Sequence, residues 1–330
     1  MKKCSIFICF LFAVLASFTG FAYPIHYNSI EKEIAELPMR TQRWLTEQDH
    51  SLSKVEKIAG KYKILKETFE RIKEIAAKVS HTSHDALKPE WKHKNRNKNY
   101  VPFDKNRVGK DVDGFYVSGS DVVTEEQAYL ITSGPTQRTA PDYFEAILLR
   151  KSPLIVTMVM PVEDGRDKCF AYWNSVSLPI ETPHWYITSG EKDQVLDKGY
   201  DSHRIVKRVF VATHRKTGER RTVTQLHYEN WPDGGVPDVA LFQRLLDEIN
   251  HMHIDKRDPI TVHCSAGVGR SGTFVTCHTL YKTIKTARRN KHKEPSINIP
   301  QTILALRLQR RSMVANTYQL QFIYQMLGKM

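Results

Sequence analysis

The chain has 330 residues, of which 41% are hydrophobic and 26% are charged, and its formal net charge is +13. These values are typical of a folded globular protein with a large core, and they exclude a disordered, collagen-like or low-complexity chain. The excess of Lys and Arg fits nucleic acid, an anionic membrane surface or an anionic substrate as a partner, and charge alone does not choose among them.

Residues 1–22 have the layout of a secretory signal peptide. Lys2 and Lys3 precede an apolar stretch from Ile6 to Ala16, and small residues follow up to Ala22. We expect cleavage after Ala22 and a secreted or periplasmic protein, with an uncleaved N-terminal anchor as the alternative. No later stretch reaches the roughly 18 apolar residues of a transmembrane helix, so no integral membrane segment is expected after cleavage.

Cleavage would leave three cysteines in the mature chain, namely Cys169, Cys264 and Cys277. An exported protein that depends on disulfides usually has an even number of cysteines at framework spacing. The odd number therefore indicates a fold that is stable without disulfides, and a thiol that is kept free for reaction.

Residues 23–90 are predicted to form an N-terminal helical segment. A first helix over Ile30–Gln48 is bent near Pro38, and a second helix over Ser53–Val79 has apolar residues at alternating spacings of three and four. Ser53 and Glu56 form a capping box at its start. We expect this helix to pack on the main body, and a coiled-coil arm that binds a partner is the alternative.

From Trp91 onward, short β-branched runs alternate with helical segments. We predict strands at 128–131, 154–159 and 260–262, and helices at 240–251, 272–289 and 317–327. Strands interleaved with helices predict an α/β domain with a central sheet, here over residues 91–330.

The segment after the strand at 260–262 is typical of an anion-binding loop. It reads His-Cys-Ser-Ala-Gly-Val-Gly-Arg-Ser from His263 to Ser271 and leads into a helix. Gly267 and Gly269 permit the positive φ angles that would turn backbone N–H groups toward one point, and Arg270 can bind phosphate oxygens in a bidentate way. Donors, helix dipole and guanidinium together favour the thiolate of Cys264, which predicts in-line attack on phosphorus and a phosphocysteine intermediate.

This segment resembles the signature of the protein tyrosine phosphatases, and the resemblance extends from Trp91 to Met330. It implies a twisted mixed sheet flanked by helices, hydrolysis of phosphotyrosine in proteins, and no metal or other cofactor. It also implies that the backbone of the loop binds the phosphate, through Ser265, Ala266, Gly267, Val268 and Gly269. Ser271 would donate to the Cys264 sulfur, and His263 would help to favour its thiolate from behind.

Further motifs supply the remaining predicted roles. The segment from Trp231 to Asp238 is similar to the mobile acid loop of the family, with Asp233 as general acid and then base, and with Trp231 at the substrate. Glu163 is the expected partner of Arg270, and Lys168 matches a lysine that approaches the acid loop.

Two positions depart from the family pattern. The loop that sets pocket depth is two residues short, so that Asn99 replaces the stacking tyrosine and Tyr100 becomes the candidate aromatic wall. Ala315 replaces the first of two water-positioning glutamines and only Gln319 is present, which predicts slow hydrolysis of the intermediate.

Two other functions use the same residues. An exported inositol polyphosphate or lipid phosphatase would use the same loop, and a weakly catalytic scaffold would bind phosphotyrosine without turnover. The basic stretch Lys282–Lys293 has little aromatic character for stacking bases, so no nucleic-acid partner is expected. Phosphotyrosine-containing proteins, including those of a host cell, are the expected partners.

Overall fold

The computed structural model describes residues 54–199, 202–290 and 297–328, with side chains from Tyr62 onward except that of Ser175. The predicted signal peptide and the helix predicted over Ile30–Gln48 lie outside the described residues. The described residues divide into two compact units, one of residues 54–80 with 297–308 and one of residues 81–199, 202–290 and 309–328.

The described residues form six α-helices and eleven β-strands. The helices are α1 Lys54–Ala77, α2 Ala140–Leu149, α3 Val239–His251, α4 Gly269–Arg289, α5 Ile299–Arg307 and α6 Thr317–Leu327. The strands are β1 Gly119–Val123, β2 Ala128–Thr132, β3 Leu154–Thr157, β4 Val162–Glu163, β5 Arg166–Asp167, β6 Ile180–Glu181, β7 Trp185–Ser189, β8 Gln194–Lys198, β9 Arg204–His214, β10 Arg220–Glu229 and β11 Ile260–His263.

In the first unit, helix α1 packs against helix α5. Ile75 is fully buried and lies in one apolar cluster with Leu304 and Leu308. The guanidinium of Arg307 lies 5.0 Å above the ring of Phe69, an attraction between a cation and an aromatic face. The apolar stripe predicted for Ser53–Val79 is therefore covered, in its C-terminal half, by residues of the same chain.

In the second unit, nine of the described strands form one mixed sheet, and β4 and β5 form a separate two-stranded sheet. The order of the larger sheet is β1-β2-β11-β3-β10-β9-β7-β6, with β8 paired to β9. Strand β11 lies between β2 and β3 and is parallel to both, and β10 is parallel to β3, whereas the outer pairs are antiparallel. Helices flank this twisted sheet, so the predicted fold class is confirmed. Ligand sites in such sheets form beyond the carboxyl ends of the central parallel strands, which is where β11 ends.

The predicted elements agree with the structure at most boundaries. The helix predicted at 317–327 is α6, and those predicted at 240–251 and 272–289 are α3 and α4, which begin one and three residues earlier. The strand predicted at 154–159 ends at Thr157. Sequence analysis missed the long hairpin of β9 and β10, which form ten residue pairs. Buried and partly exposed residues alternate along most of β9, whereas the last five residues of β10 are all buried.

An aromatic cluster supports the sheet beneath the end of β11. Tyr143 and Phe144 of α2 pack against Tyr172, and the ring centroids lie 5.3 and 5.5 Å from that of Tyr172. Tyr143 and Tyr172 also lie within 5.7 Å of the ring of His263. Contacts between aromatic rings stabilise a core by more than the burial of their apolar area accounts for. The end of the strand that precedes Cys264 therefore has a rigid support.

Candidate active site

The loop from Cys264 to Val268 connects strand β11 to helix α4, as the sequence predicts. Gly267 has a φ of +71°, and a Cβ atom at this position would lie 2.2 Å from the carbonyl oxygen of Thr132. A side chain is therefore excluded both by the backbone angle and by the neighbouring strand.

The expectation of a positive φ at Gly269 is wrong. This residue begins helix α4 with an ordinary helical backbone. Its lack of a side chain provides space instead, because a Cβ atom would lie 3.2 Å from both the Cβ of Ala315 and the Nε2 of Gln319. Gly269 therefore lets the segment around Ala315 approach the loop closely.

Two side chains that sequence analysis missed bind the carbonyl oxygens of the loop. Arg310, which is 1% exposed, donates from Nε to the carbonyl of Gly267 at 2.8 Å and from a terminal nitrogen to that of Ala266 at 3.3 Å. The Ser133 hydroxyl donates to the same Ala266 oxygen at 3.1 Å. Because C=O and N–H point in opposite directions across a trans peptide, the N–H groups of Gly267 and Val268 face away from Arg310, into the loop.

Arg270 is held by a carboxylate and a backbone carbonyl. Its two terminal nitrogens donate to the two carboxylate oxygens of Glu163 at 2.6 and 2.9 Å, in the bidentate geometry that fixes a guanidinium plane. One of them also donates to the carbonyl of Trp231 at 2.8 Å. Burial alone would lower the pKa of Arg270, but Glu163, Cys264 and Asp233 raise it. The structure thus places Glu163 where the sequence predicted it.

Asp233 lies beside the same guanidinium. Its Oδ1 is 3.3 Å from a terminal nitrogen of Arg270, and its Oδ2 is 2.5 Å from the Nζ of Lys168. Partial burial acts to raise the pKa of Asp233, but the hydrogen bond from Lys168 and the charge of Arg270 outweigh it, so the pKa is lowered. In this state the carboxyl group is ionised and occupies the anion-binding position over Arg270.

The structure gives Trp231 a different role from the predicted substrate contact. Its side chain is 1% exposed, and its ring packs against those of Tyr228 and Phe242. Its Nε1 donates to the carbonyl of Gly235 at 3.0 Å, across the turn that contains Asp233. Because an indole of this size is enclosed by the core, Trp231 anchors the acid loop and does not reach a ligand with its side chain.

Cys264 is 3% exposed at the start of the loop, and His263 lies behind it. The Nδ1 of His263 is 3.2 Å from the carbonyl oxygen of Cys264, while its Nε2 is 3.0 Å from the Thr157 hydroxyl and 2.8 Å from that of Tyr172. Since a carbonyl only accepts, Nδ1 carries the proton and Nε2 accepts. Burial lowers the pKa of His263 to about 3, so it adds no positive charge near the sulfur.

Ser271 and Gln319 are both buried next to the loop. The Ser271 hydroxyl has no hydrogen-bond partner among the described residues, so the predicted bond to the sulfur of Cys264 is not formed in this state. Gln319 is 1% exposed, and its Oε1 accepts from the backbone N–H of Ala315 at 2.9 Å. The Gln319 amide therefore contacts Ala315, the position at which the family pattern has the first glutamine.

The remaining predicted residues lie as follows. Tyr100 is half-buried, and its backbone N–H donates to the carbonyl of Asn97 at 3.2 Å; its role as the pocket wall stays a prediction. Cys169 and Cys277 are buried, and burial raises the pKa of both thiols. In the described part of the basic stretch, Lys282, Lys285 and Arg289 line a groove of about 230 Å³ beside helix α3.

Neither a metal cluster nor a membrane-spanning helix is found in the part of the chain that the structure describes. No three His, Cys, Asp or Glu side chains there are grouped to hold an ion. No helix there is long and apolar enough to cross a bilayer.

Comparison with known proteins gives one family. A family model described as protein-tyrosine phosphatase matches residues 91–329. The chain is 31% identical over 240 residues to tyrosine-protein phosphatase non-receptor type 20 of Rattus norvegicus, covering 71% of this chain and 53% of that protein. It is 32% identical over 268 residues to receptor-type tyrosine-protein phosphatase F of Danio rerio, covering 76% of this chain and 13% of that protein. The chain thus spans about half, or less, of the length of these relatives.

Solved structures show the same fold. The catalytic domain of human protein tyrosine phosphatase non-receptor type 18 is 25% identical with a TM-score of 0.70, covering 82% of this chain and 98% of that one. A structure of PTPN18 in complex with HER2 phosphopeptides is 24% identical with a TM-score of 0.73, covering 88% and 97%.

Proposed function

Since the chain belongs to the protein-tyrosine phosphatases, a family of hydrolases, we propose that it hydrolyses phosphotyrosine in proteins with Cys264 as nucleophile, Asp233 as general acid and Arg270 as phosphate ligand. One observation carries this assignment. Arg270, six residues after Cys264, is held by Glu163 and lies 3.3 Å from Asp233. The nucleophile and the phosphate ligand are close in sequence, the acid belongs to a separate loop, and the three surround one anion position.

In the first step the substrate phosphate replaces the Asp233 carboxylate over Arg270. The Cys264 sulfur attacks phosphorus, so an S–P bond forms and the bond between phosphorus and the tyrosine oxygen breaks. Asp233, protonated in the complex, gives its proton to the leaving phenolate oxygen, which releases tyrosine. The loop N–H groups and Arg270 stabilise the three non-bridging oxygens as their charge shifts.

In the second step water attacks the phosphocysteine. Asp233, now a carboxylate, removes a proton from that water, an O–P bond forms and the S–P bond breaks. The products are inorganic phosphate and the Cys264 thiolate. Ser271 has a buried hydroxyl without a partner, and we assign it to donate to this departing sulfur.

A substrate panel tests the proposal. The purified protein is assayed on a phosphotyrosine peptide, on the same peptide with phosphoserine, and on inositol hexakisphosphate. We expect turnover of the phosphotyrosine peptide by the wild type and none by Cys264→Ser, whereas Cys277→Ser, a buried thiol in helix α4, stays active. A preference for inositol hexakisphosphate would contradict the substrate class, and activity of Cys264→Ser would contradict the mechanism.

Export forms a separate part of the proposal and rests on the layout of residues 1–22. We propose that the protein leaves the cytoplasm and meets its phosphotyrosine substrates outside it, host proteins included. Fractionation of the producing cell with N-terminal sequencing tests this. A mature chain that begins at Tyr23 in the exported fraction is expected, and an uncleaved chain retained in the cytoplasm would contradict export.

A further inference from the structure

Asn316 joins the start of helix α6 to the acid loop, defined here as residues 231–238. Its Oδ1 accepts from the backbone N–H of Gln319 at 2.9 Å, which caps the helix. Its Nδ2 donates to the carbonyl oxygen of Gly234 at 2.7 Å. The orientation of the amide is unambiguous, because an N–H can only donate and a carbonyl can only accept.

The Gly234 carbonyl belongs to the residue that directly follows Asp233. Gly234 has a φ of +67°, and its backbone turns the chain at the exposed tip of the loop. The base of the loop is held separately, by Trp231 in the core and by Asp238, which caps helix α3 through a 2.7 Å bond to the N–H of Leu241. Asn316 thus provides a neutral contact to the tip from outside the loop.

The other hydrogen bonds that reach the tip from outside the loop, among the described residues, are ionic: the Asp233 carboxylate accepts from Lys168 and Arg270. A substrate phosphate competes for Arg270, and protonation of Asp233 weakens both ion pairs. The Asn316 bond uses a backbone carbonyl and an amide, so neither the phosphate nor the proton removes it. This bond from outside the loop can therefore persist while the acid acts, as can the bond that Trp231 makes to Gly235 within the loop.

We propose that Asn316 is a positioning residue for the general acid: its amide holds the acid loop over the substrate so that the Asp233 proton reaches the leaving oxygen. This inference rests on the proposed role of Asp233. Loss of one neutral hydrogen bond is worth roughly 0.5–1.5 kcal/mol, which allows a fall of up to about tenfold in the rate of leaving-group expulsion.

The test separates the two functions of this side chain. Asn316→Asp and Asn316→Ser both retain a helix-capping oxygen, but neither can donate to the Gly234 carbonyl, since Asp has no donor and Ser is too short. Asn298→Asp is the matched control, because Asn298 caps helix α5 by the same bond to Gln301 at 3.0 Å. The measured quantity is kcat/KM, which reports the steps up to loss of the leaving group. It is compared on a phosphotyrosine peptide and on 2,4-dinitrophenyl phosphate. The dinitrophenol of the second substrate is acidic enough to leave without a proton.

We expect both Asn316 variants to lose about tenfold in kcat/KM on the phosphotyrosine peptide and little on the dinitrophenyl ester. The Asn298 control should match the wild type on both. In an Asp233→Ala background the Asn316 substitutions should cause no further loss, as expected when one residue acts through the other.

Two outcomes would overturn the proposal: equal losses on both substrates or in both backgrounds, which indicate a merely structural role, and full activity of both variants on the peptide. Failure of the proposed function would be recognised separately, because Asp233→Ala would then keep its full kcat/KM on the peptide.

Discussion

The Nε of Arg310 donates to the carbonyl oxygen of Gly267 at 2.8 Å, from a side chain that is 1% exposed. Arg310 follows helix α5 by three residues and is far from the loop in sequence. Burial lowers its pKa to about 10, and the charge of Cys264 acts in the opposite direction. A second guanidinium therefore lies beneath the loop and binds the carbonyls of Ala266 and Gly267, whose peptide N–H groups turn into the loop.

Arg310→Met is expected to reduce kcat/KM on a phosphotyrosine peptide by about 100-fold, since small displacements of positioned groups have effects of this order. Arg311→Met, at an exposed neighbouring position, is the control and should retain activity. Arg310→Lys should recover part of the loss, because one ammonium can reach one carbonyl. Steady-state kinetics at matched folded fraction, measured by circular dichroism, check this; full activity of Arg310→Met would contradict the role.

We expect Lys168 to influence the pH dependence of the general acid Asp233. The hydrogen bond from Lys168 helps to lower the pKa of Asp233, and a general acid loses activity as the pH rises through its pKa. Lys168→Met therefore should raise that pKa and move the alkaline limb of kcat/KM to higher pH. A pH profile of the variant beside Lys92→Met checks the direction, and a shift to lower pH would refute it.

Three buried histidines make folding sensitive to acid. Burial lowers the pKa values of His227, His263 and His278 to about 3 from 6.5. The unfolded chain gains their protons first, so the contribution of these residues to stability is complete above pH 6.5 and decreases as the pH falls toward 3.

Between about pH 6.5 and pH 5 each histidine should lower the free energy of unfolding by about 2 kcal/mol. Urea unfolding at a series of pH values measures this slope. His278→Asn removes one of these groups, so the slope should be smaller by the contribution of one histidine, about 1.4 kcal/mol per pH unit below pH 6.5. A slope that the substitution does not change would show that His278 takes up no proton on unfolding in this range.

We predict that Ala315 makes the second chemical step slow. Gln319 lies next to it with its Oε1 bound to the Ala315 N–H, and the Ala315 methyl group cannot orient water. We expect a burst of phenol release on an aryl phosphate, and Ala315→Gln should raise the steady-state rate up to about tenfold by positioning the water. Rapid-quench kinetics test this prediction. Absence of a burst in the wild type would mean that the intermediate does not accumulate, which would contradict a slow second step.

The sequence predicts those parts of the site that are continuous in the chain. The strand, loop and helix around Cys264 follow from a β-branched run, two glycines and an apolar helix within about 30 residues. Trp231–Asp238 and Glu163 follow from similarity to family motifs. Strands β2, β3 and β11 and helices α3, α4 and α6 follow from the hydrophobic pattern, whereas the long strands β9 and β10 were not predicted.

The supports of the site could not be predicted in this way, because they depend on tertiary contacts. Nothing near Arg310 or Ser133 indicates that their side chains meet the carbonyl of Ala266. Asn316 has the residue type of a helix cap, but its bond to Gly234 requires the folded acid loop. Sequence analysis predicts a positive φ angle at Gly269, whereas in the structure the missing side chain of this residue leaves space for Ala315 and Gln319.

The most direct test of the account is identification of the phosphorylated residue. The enzyme is mixed with a ³²P-labelled phosphotyrosine peptide, quenched in acid within one turnover and digested, and the labelled fragment is sequenced. We expect the phosphate on Cys264, more label in Asp233→Asn once its slower first step is complete, and none in Cys264→Ser. Turnover without any labelled cysteine, or label on a residue other than Cys264, would contradict the mechanism.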